Sequence, residues 1–540
     1  MKKILSVLLV VIMVFFVASC NVLSVSLHHV SETQDSGDTG SSGTTTPGTS
    51  SSVTTTKYTV CPIPPIDFQD KELSLFAMVQ SNVNECSFDA RYDGNVVNNA
   101  VFQRNKNIKD RLNCQLNIVE QACDTNDLGE GSMLNVMEAI KETPTYHVVT
   151  AASFQMVRLA EKGLLHDLNS RNIEYLDLNR DCYDDSYNNA YSVGGRQYLV
   201  SGKMDISWYR YQQVIFFNRN FFNEKYVQYP YQLVLDGEWT LEKMATITSN
   251  FRMDDGDKTC NQADTYGYYT FVGAESAMTD GYLSAFDLHL VKQDETDYFT
   301  KAEVDPTAWQ TKMGALFNLL NEEFCWAGRS EADGGNSDGT ADSNQTVTEK
   351  FLSLQTAMIT HELYLVEKEE MIQMGRDLDG YGILPLPKAN QRQERYISHV
   401  QSQVHAFGIP YTMVEKEYIC AQLFLDAFAV ESCKTTMPAY YERALTKKYV
   451  GDKTSYEMIK IIDSNVMADI GSVYTASLDV NPSSFRTVFT GQDTVLELLN
   501  NKVIGENAPL DTAIAELNRR YEELDALLEA NGYVRGKIRG

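Results

Sequence analysis

Apolar spacing changes several times along this chain, and each change predicts a different element. Ile4 to Ala18 is apolar throughout except for Ser6, which is shorter than the roughly twenty residues that cross a bilayer. Ser31–Lys57 is a Ser/Thr/Gly tract with almost nothing to bury, and such a composition stays an open coil. Its 27 residues would span about 30 Å. Order is expected from near Pro64. Leu73–Val79 reads as a strand, Asn95–Leu112 as a helix, Leu116–Glu120 as a strand, Met133–Lys141 as a helix and Tyr146–Ala151 as a strand. Helices alternating with apolar strands predict parallel β/α units, hence an α/β lobe with helices on both faces.

Further on, Gln213–Phe217 (QVIFF) reads as a buried strand. Gly237-Glu238-Trp239-Thr240 opens a helix with Thr240 as its N-cap and Glu242 near its positive end. Leu241, Met244, Ala245, Thr248 and Phe251 share one face of it. Between Glu322 and Thr346 the periodicity lapses, so an insertion or mobile loop is expected there, with Trp326 at its edge. Strand patterning returns at Thr356–Thr360, Tyr381–Leu384 and Val404–Ile409, after which the chain reads as mostly helical. In the last helix, Leu510, Ile514, Leu517, Tyr521, Leu524 and Leu528 form one stripe, for docking on its own domain or for a coiled-coil partner. There is no internal repeat.

Size and charge narrow the class. A chain of 540 residues exceeds what one hydrophobic core usually supports, so two lobes are expected. With 46 basic against 73 acidic residues the net charge is −27, which repels nucleic-acid backbones and anionic lipid heads alike. Nucleic acid is therefore not an expected partner. Lys2 and Lys3, the apolar run and Val17-Ala18-Ser19-Cys20 resemble the signal and lipobox of bacterial lipoproteins. That resemblance implies cleavage before Cys20, a diacylglycerol thioether on its sulfur and anchoring by acyl chains, where electrostatics alone would repel. An uncleaved anchor or an ordinary secretory signal is the alternative.

Lipidation would leave nine of the ten cysteines. The odd count and the lack of any C-x-x-C argue against a regular disulfide framework and a zinc ribbon. Buried free thiols are expected, as in an anaerobic source. The pairs Cys114/Cys123 and Cys420/Cys433 stay open.

Several segments, in order and spacing, carry a further resemblance. They are Asp93-Gly94 with Asn99-Ala100 and Arg104-Asn105; Gly194-Gly195-Arg196-Gln197-Tyr198 with Ser201-Gly202; and Phe216-Phe217-Asn218-Arg219 followed by Tyr229-Pro230-Tyr231 and Gly237-Glu238-Trp239-Thr240. Tyr381-Gly382-Ile383-Leu384-Pro385-Leu386-Pro387-Lys388 and Ala439-Tyr440-Tyr441-Glu442 continue the series. Together, over roughly residues 70–475, they resemble the extracellular solute-binding lipoproteins of bacterial ABC importers, of the large sugar-binding type. The chain departs from that pattern at Cys182-Tyr183-Asp184, where the family often carries two tryptophans and an aspartate.

The resemblance implies an α/β, two-lobed clamshell of the periplasmic-binding-protein type (type II), which closes on ligand by hinge motion and docks on permease transmembrane subunits. The expected division is a signal at 1–20, a tether at 21–63, an N-terminal lobe at 64–201 and 357–425, and a C-terminal lobe at 202–356 and 426–540. The expected role is capture of a carbohydrate, an oligosaccharide, by a monomer held on the outer face of the cytoplasmic membrane. Alternatives are a binder of peptides or other polar metabolites, a cell-surface glycan hydrolase, and a structural or adhesion lipoprotein.

A sugar site needs flat aromatic faces together with amides or carboxylates, and the chain has 30 tyrosines and 4 tryptophans. Asn82, Asp89 and Ser153 follow presumed strand ends, where open α/β sheets bind ligands. Trp208, beside Tyr209 and Tyr211, follows the first hinge. Tyr269 lies in a strand, Trp326 borders the acidic loop and His361-Glu362 follows the TAMIT strand. Trp239 and Trp309 read as core. His361-Glu362 lacks the second histidine of H-E-x-x-H, and Asp254-Asp255-Gly256-Asp257 lacks calcium-loop spacing, so it reads as a solvated turn. No phosphate-binding G-x-x-x-x-G-K-[ST] occurs. No catalytic residue, metal or cofactor is expected.

Overall fold

A computed structural model describes residues 67–80, 88–123, 140–141, 145–170, 175–273, 276–376, 380–450, 453–478, 483–491 and 493–534. The signal with Cys20, the tether, Asn82 and most of Met133–Lys141 lie outside the described residues. Thirteen strands among those described are β1 (Lys71–Gln80), β2 (Cys114–Cys123), β3 (Val148–Ala152), β4 (Ser192–Val193), β5 (Arg196–Gln197), β6 (Gln213–Asn218), β7 (Tyr266–Phe271), β8 (Val291–Gln293), β9 (Phe299–Lys301), β10 (Cys325–Gly328), β11 (Thr356–Glu362), β12 (Tyr381–Leu384) and β13 (His405–Gly408). Two sheets organise the body. The first has the order β13-β3-β1-β2 and the second β10-β7-β11-β6-β12; β4–β5 and β8–β9 are small hairpins.

The first sheet follows from β1. Leu73, Leu75 and Ala77 alternate with Phe76 and Met78, and both sets are buried. Leu73, Leu75 and Ala77 join a core with Ile108 and Leu112 of helix Val96–Leu112 and Leu423, Phe424 and Phe428 of helix Glu415–Lys434. Phe76 and Met78 join another core with Met156, Val157 and Leu159 of helix Ser153–Glu161. A strand covered on both faces belongs to a parallel sheet, and β1 does pair parallel with β2 and β3, while β13 closes the edge antiparallel to β3. Asn95 caps helix Val96–Leu112 through the backbone N–H of Val97 and Asn98, and Asn113 ends it in the left-handed region at φ 45°.

In the second sheet, β10, β7 and β11 run parallel and β6 runs antiparallel to β11 and β12. Placing 357–425 in the N-terminal lobe is corrected by these pairings, since β11 and β12 both pair with β6. The boundary at 426 also gives way. It would cut helix Glu415–Lys434, whose later residues Phe428, Val430 and Cys433 still pack in the first sheet's core. The chain passes between the sheets through residues 198–212, through 385–404, and after Lys434 to helix Lys453–Ser464. Ser455 on that last helix bonds Tyr231 and the Ile383 N–H of the second sheet's lobe.

The expected loop at Glu322–Thr346 is corrected at its ends only, since 329–343 carries neither helix nor strand. Cys325–Gly328 is strand β10, and the acidic stretch beyond it winds around Asp342, a buried carboxylate that accepts from Tyr269, Trp326, Asn336 and Gln262. Its charge is thereby met by four donors, which orders residues whose composition alone reads as coil. The C-terminal helix Pro509–Ala530 buries Leu510, Ile514, Leu517 and Tyr521 against its own body, and Asn518 exchanges hydrogen bonds with Phe299 of β9. The stripe is a docking face. Neither cysteine pair left open by spacing can close. Cys114 and Cys123 end one strand, about 30 Å apart, and Cys420 and Cys433 lie about 20 Å apart on one helix, against the roughly 7 Å limit between bridged Cα atoms.

Candidate functional site: the cleft between the two sheets

The segment before β13 ties the strand ends of both sheets together. Val404 and Ser402 accept from the N–H of Ser153 and Phe154 at the end of β3, while Gln401 donates to Tyr211 and His399 accepts from Gln213 at the start of β6. Leu363, just beyond β11, donates to Gln212. The carboxyl ends of β3 and β11 therefore meet at one place, where open α/β sheets present ligand sites. Gln401, Ser402 and Gln403 in the joining segment are half-buried.

On the side of the second sheet this junction carries unlike groups in close array. Glu362 ends β11 and is 3 % exposed. Burial, with the Asp280 carboxylate nearby, pushes it up to about 7. Tyr364, in the 3-10 turn Leu363–Glu367, is half-buried although Leu363, Leu365 and Val366 around it are inside. Its ring meets Tyr211 edge-on at 6.3 Å and His361 at 5.4 Å. Asp280 opens helix Asp280–Ala285 and is gripped by both nitrogens of an Arg486 fork, with Nε at 2.7 Å. Gln213 donates to the Ala277 carbonyl at 2.7 Å, and its buried side-chain oxygen has no protein partner.

On the side of the first sheet, several polar groups among the described residues already have partners. Ser153 Oγ pairs with Tyr191 Oη at 2.9 Å. Asp205 accepts from His405 Nδ1 and from the N–H and hydroxyl of Ser207. Burial alone would raise Asp205, but these donors outweigh it and hold the carboxyl below its usual value. Arg104, fully buried, stacks 4.2 Å from the Phe428 ring centroid and donates to Phe88.

The sequence-expected site residues divide sharply. Asp89 is exposed and lies before helix Val96–Leu112, touched by Asn105. Ser153 reaches the junction with its hydroxyl already engaged. Trp208 is corrected to an interior position, where its Nε1 donates to Asp463 at 3.1 Å and its ring meets Tyr187 edge-on. Tyr269 and Trp326 lie in the core around Asp342, each donating to its carboxylate. His361 is corrected too. It is buried beside Thr348 and driven down to about 4 by burial, while its neighbour Glu362 is the one near Asp280. Tyr364, Asp280 and Arg486 were not expected. A tyrosine two residues past the end of β11 was the one available signal for Tyr364, and nothing local marks the other two.

Asp254, Asp255 and Asp257 do come together at the surface, but their oxygens receive the turn's own N–H groups from Gly256, Asp257, Lys258 and Thr259. No helix among the described residues is long and apolar enough to cross a membrane.

No known protein family matches the chain, and no curated protein resembles it in sequence. Solved structures do share its fold. The sugar-binding protein MalE from Xanthomonas citri superposes with a TM-score of 0.52 at 12% identity, over 85% of this chain and 98% of that one. The galacto-N-biose-/lacto-N-biose I-binding protein of the ABC transporter from Bifidobacterium longum, in complex with lacto-N-biose, gives 0.51 at 10% identity, over 87% and 99%. A cyclo/maltodextrin-binding protein complexed with maltotetraose gives 0.50 at 14%, over 83% and 97%. The chain therefore has the two-lobed periplasmic-binding-protein fold expected from its sequence segments. These neighbours are binding proteins rather than enzymes.

Proposed function

We propose that this is a lipid-anchored substrate-binding protein of an ABC importer, which captures an oligosaccharide between its lobes and delivers it to the permease transmembrane subunits. The observation that carries the reading is the end of β11, where half-buried Tyr364 stands over the buried Tyr211 and Glu362. Tyrosine faces take the C–H side of a sugar ring, and carboxylate or amide oxygens take its hydroxyls. The shared fold with carbohydrate-binding neighbours supports the same reading. The lipobox-like Val17–Cys20 and the tether support a monomer moored outside the cytoplasmic membrane. Binding and hinge closure are the whole of its chemistry; no bond in the ligand is broken.

A thermal-shift screen of the full chain against oligosaccharides, monosaccharides and peptides tests this. A true ligand at about 100 times its dissociation constant adds roughly 2.7 kcal/mol. Stabilisation by an oligosaccharide without cleavage products is expected. Stabilisation by peptides alone, or turnover of the glycan, would overturn the reading. Mass spectrometry of the membrane-extracted protein tests the anchor through the diacylglyceryl mass on Cys20.

A further inference from the structure

Cys182 and Cys433 stand 251 positions apart in the chain, yet both are buried in the first sheet's core together with Tyr183 and Phe428. Cys433 lies in the last turn of helix Glu415–Lys434, and its thiol donates to the Lys203 carbonyl at 3.2 Å. Residues 182–184 lie against the same stretch from the other side. Tyr183 bridges Gly202 antiparallel, Asp184 donates to Ser201, and a Cβ placed on Gly202 would come 2.7 Å from the Cys182 carbonyl. Gly202 also sits at φ +138°, where a side chain is strained. Both thiols are free in this structure, and the neighbouring Cys433 thiol together with burial raises the Cys182 thiol. This is the position at which the sequence departs from the family it resembles.

We propose that Cys182 and Cys433 form a disulfide that clamps the start of the first inter-sheet crossing to the helix leading into the third. The oxidant is a low-molecular-weight disulfide of the exported compartment. One cysteine thiolate attacks it, forming a mixed disulfide and releasing one thiolate. The second cysteine then attacks the mixed disulfide's protein sulfur and releases the other. Two protein thiols and one disulfide become one protein disulfide and two small thiols. Because the thiolate is the attacking species and burial disfavours it, the exchange runs during folding and is slow in the native state. The clamp does not depend on what the cleft binds.

The test refolds the full chain from denaturant in glutathione buffer, alkylates it while denatured and maps its peptides by mass spectrometry. A cross-linked pair containing Cys182 and Cys433 is expected, lost with reductant and absent from Cys433→Ser. Reduction is expected to lower the melting temperature by about 5 °C. Circular dichroism of Cys433→Ser separates a missing bond from a missing fold. Recovery of both cysteines alkylated after folding with oxidised glutathione, or either joined to another cysteine, would overturn the proposal.

Discussion

The two sides of the junction between the sheets differ in which of their described polar groups are already paired. On the first sheet's side, Ser153 is engaged by Tyr191 and Asp205 by His405 and Ser207. On the second sheet's side, Gln213 keeps an unmatched oxygen and Tyr364 stays half-uncovered, while buried Glu362 lies between His361 Nδ1 at 3.2 Å and the like charge of Asp280. A satisfied group stabilises the hinge, whereas an unsatisfied one has something to gain from a ligand. Changes on the first side should therefore move stability alone, and changes on the second should move affinity as well.

The largest effect is expected from Asp205→Ala, which takes a nearby carboxylate from the buried Arg104 and leaves His405 Nδ1 without its partner. Breaking a buried pair costs about 3–5 kcal/mol, measurable by urea unfolding. Since the folded carboxyl sits below its usual value, its contribution is present above the unfolded pKa and lost as pH falls through the folded one. The variant should lack that acid limb.

Glu362→Gln comes next and has the opposite sign. A carboxyl raised from 4.5 to about 7 destabilises the fold progressively between those values, by about 3 kcal/mol once both states are ionised. The variant should match the parent near pH 4 and exceed it at pH 8, while binding sugar more weakly. Calorimetric melting at the two pH values checks this.

Tyr364→Ala should weaken oligosaccharide binding by about 1–2 kcal/mol, or roughly tenfold, with little change in melting temperature because the ring is only half-buried. Isothermal titration measures it. The smallest effect belongs to Ser153→Ala. Loss of one buried hydrogen bond costs about 1 kcal/mol of stability, and affinity should be unchanged.

The frame was far more legible in the sequence than the site. The strands Leu73–Val79, Gln213–Phe217 and Tyr381–Leu384 showed themselves because apolar spacing records burial directly. The lobe assignment of β11 and β12 did not, since pairing partners are chosen across the fold and leave no local mark. Trp208, Tyr269 and Trp326 are buried for a related reason. An aromatic ring near a strand end looks the same whether its polar atom meets a ligand or a buried aspartate, and here Asp463 and Asp342 decide it. Arg486 reaches Asp280 from 206 positions away, which no motif anticipates.

Solution X-ray scattering of the full chain, with and without a saturating oligosaccharide, tests most directly whether the two sheets are hinged halves that close on a sugar. A smaller radius of gyration with the sugar is the predicted result, lost when Tyr364→Ala is measured at a concentration that leaves it unliganded. Superimposable profiles at saturation would contradict it.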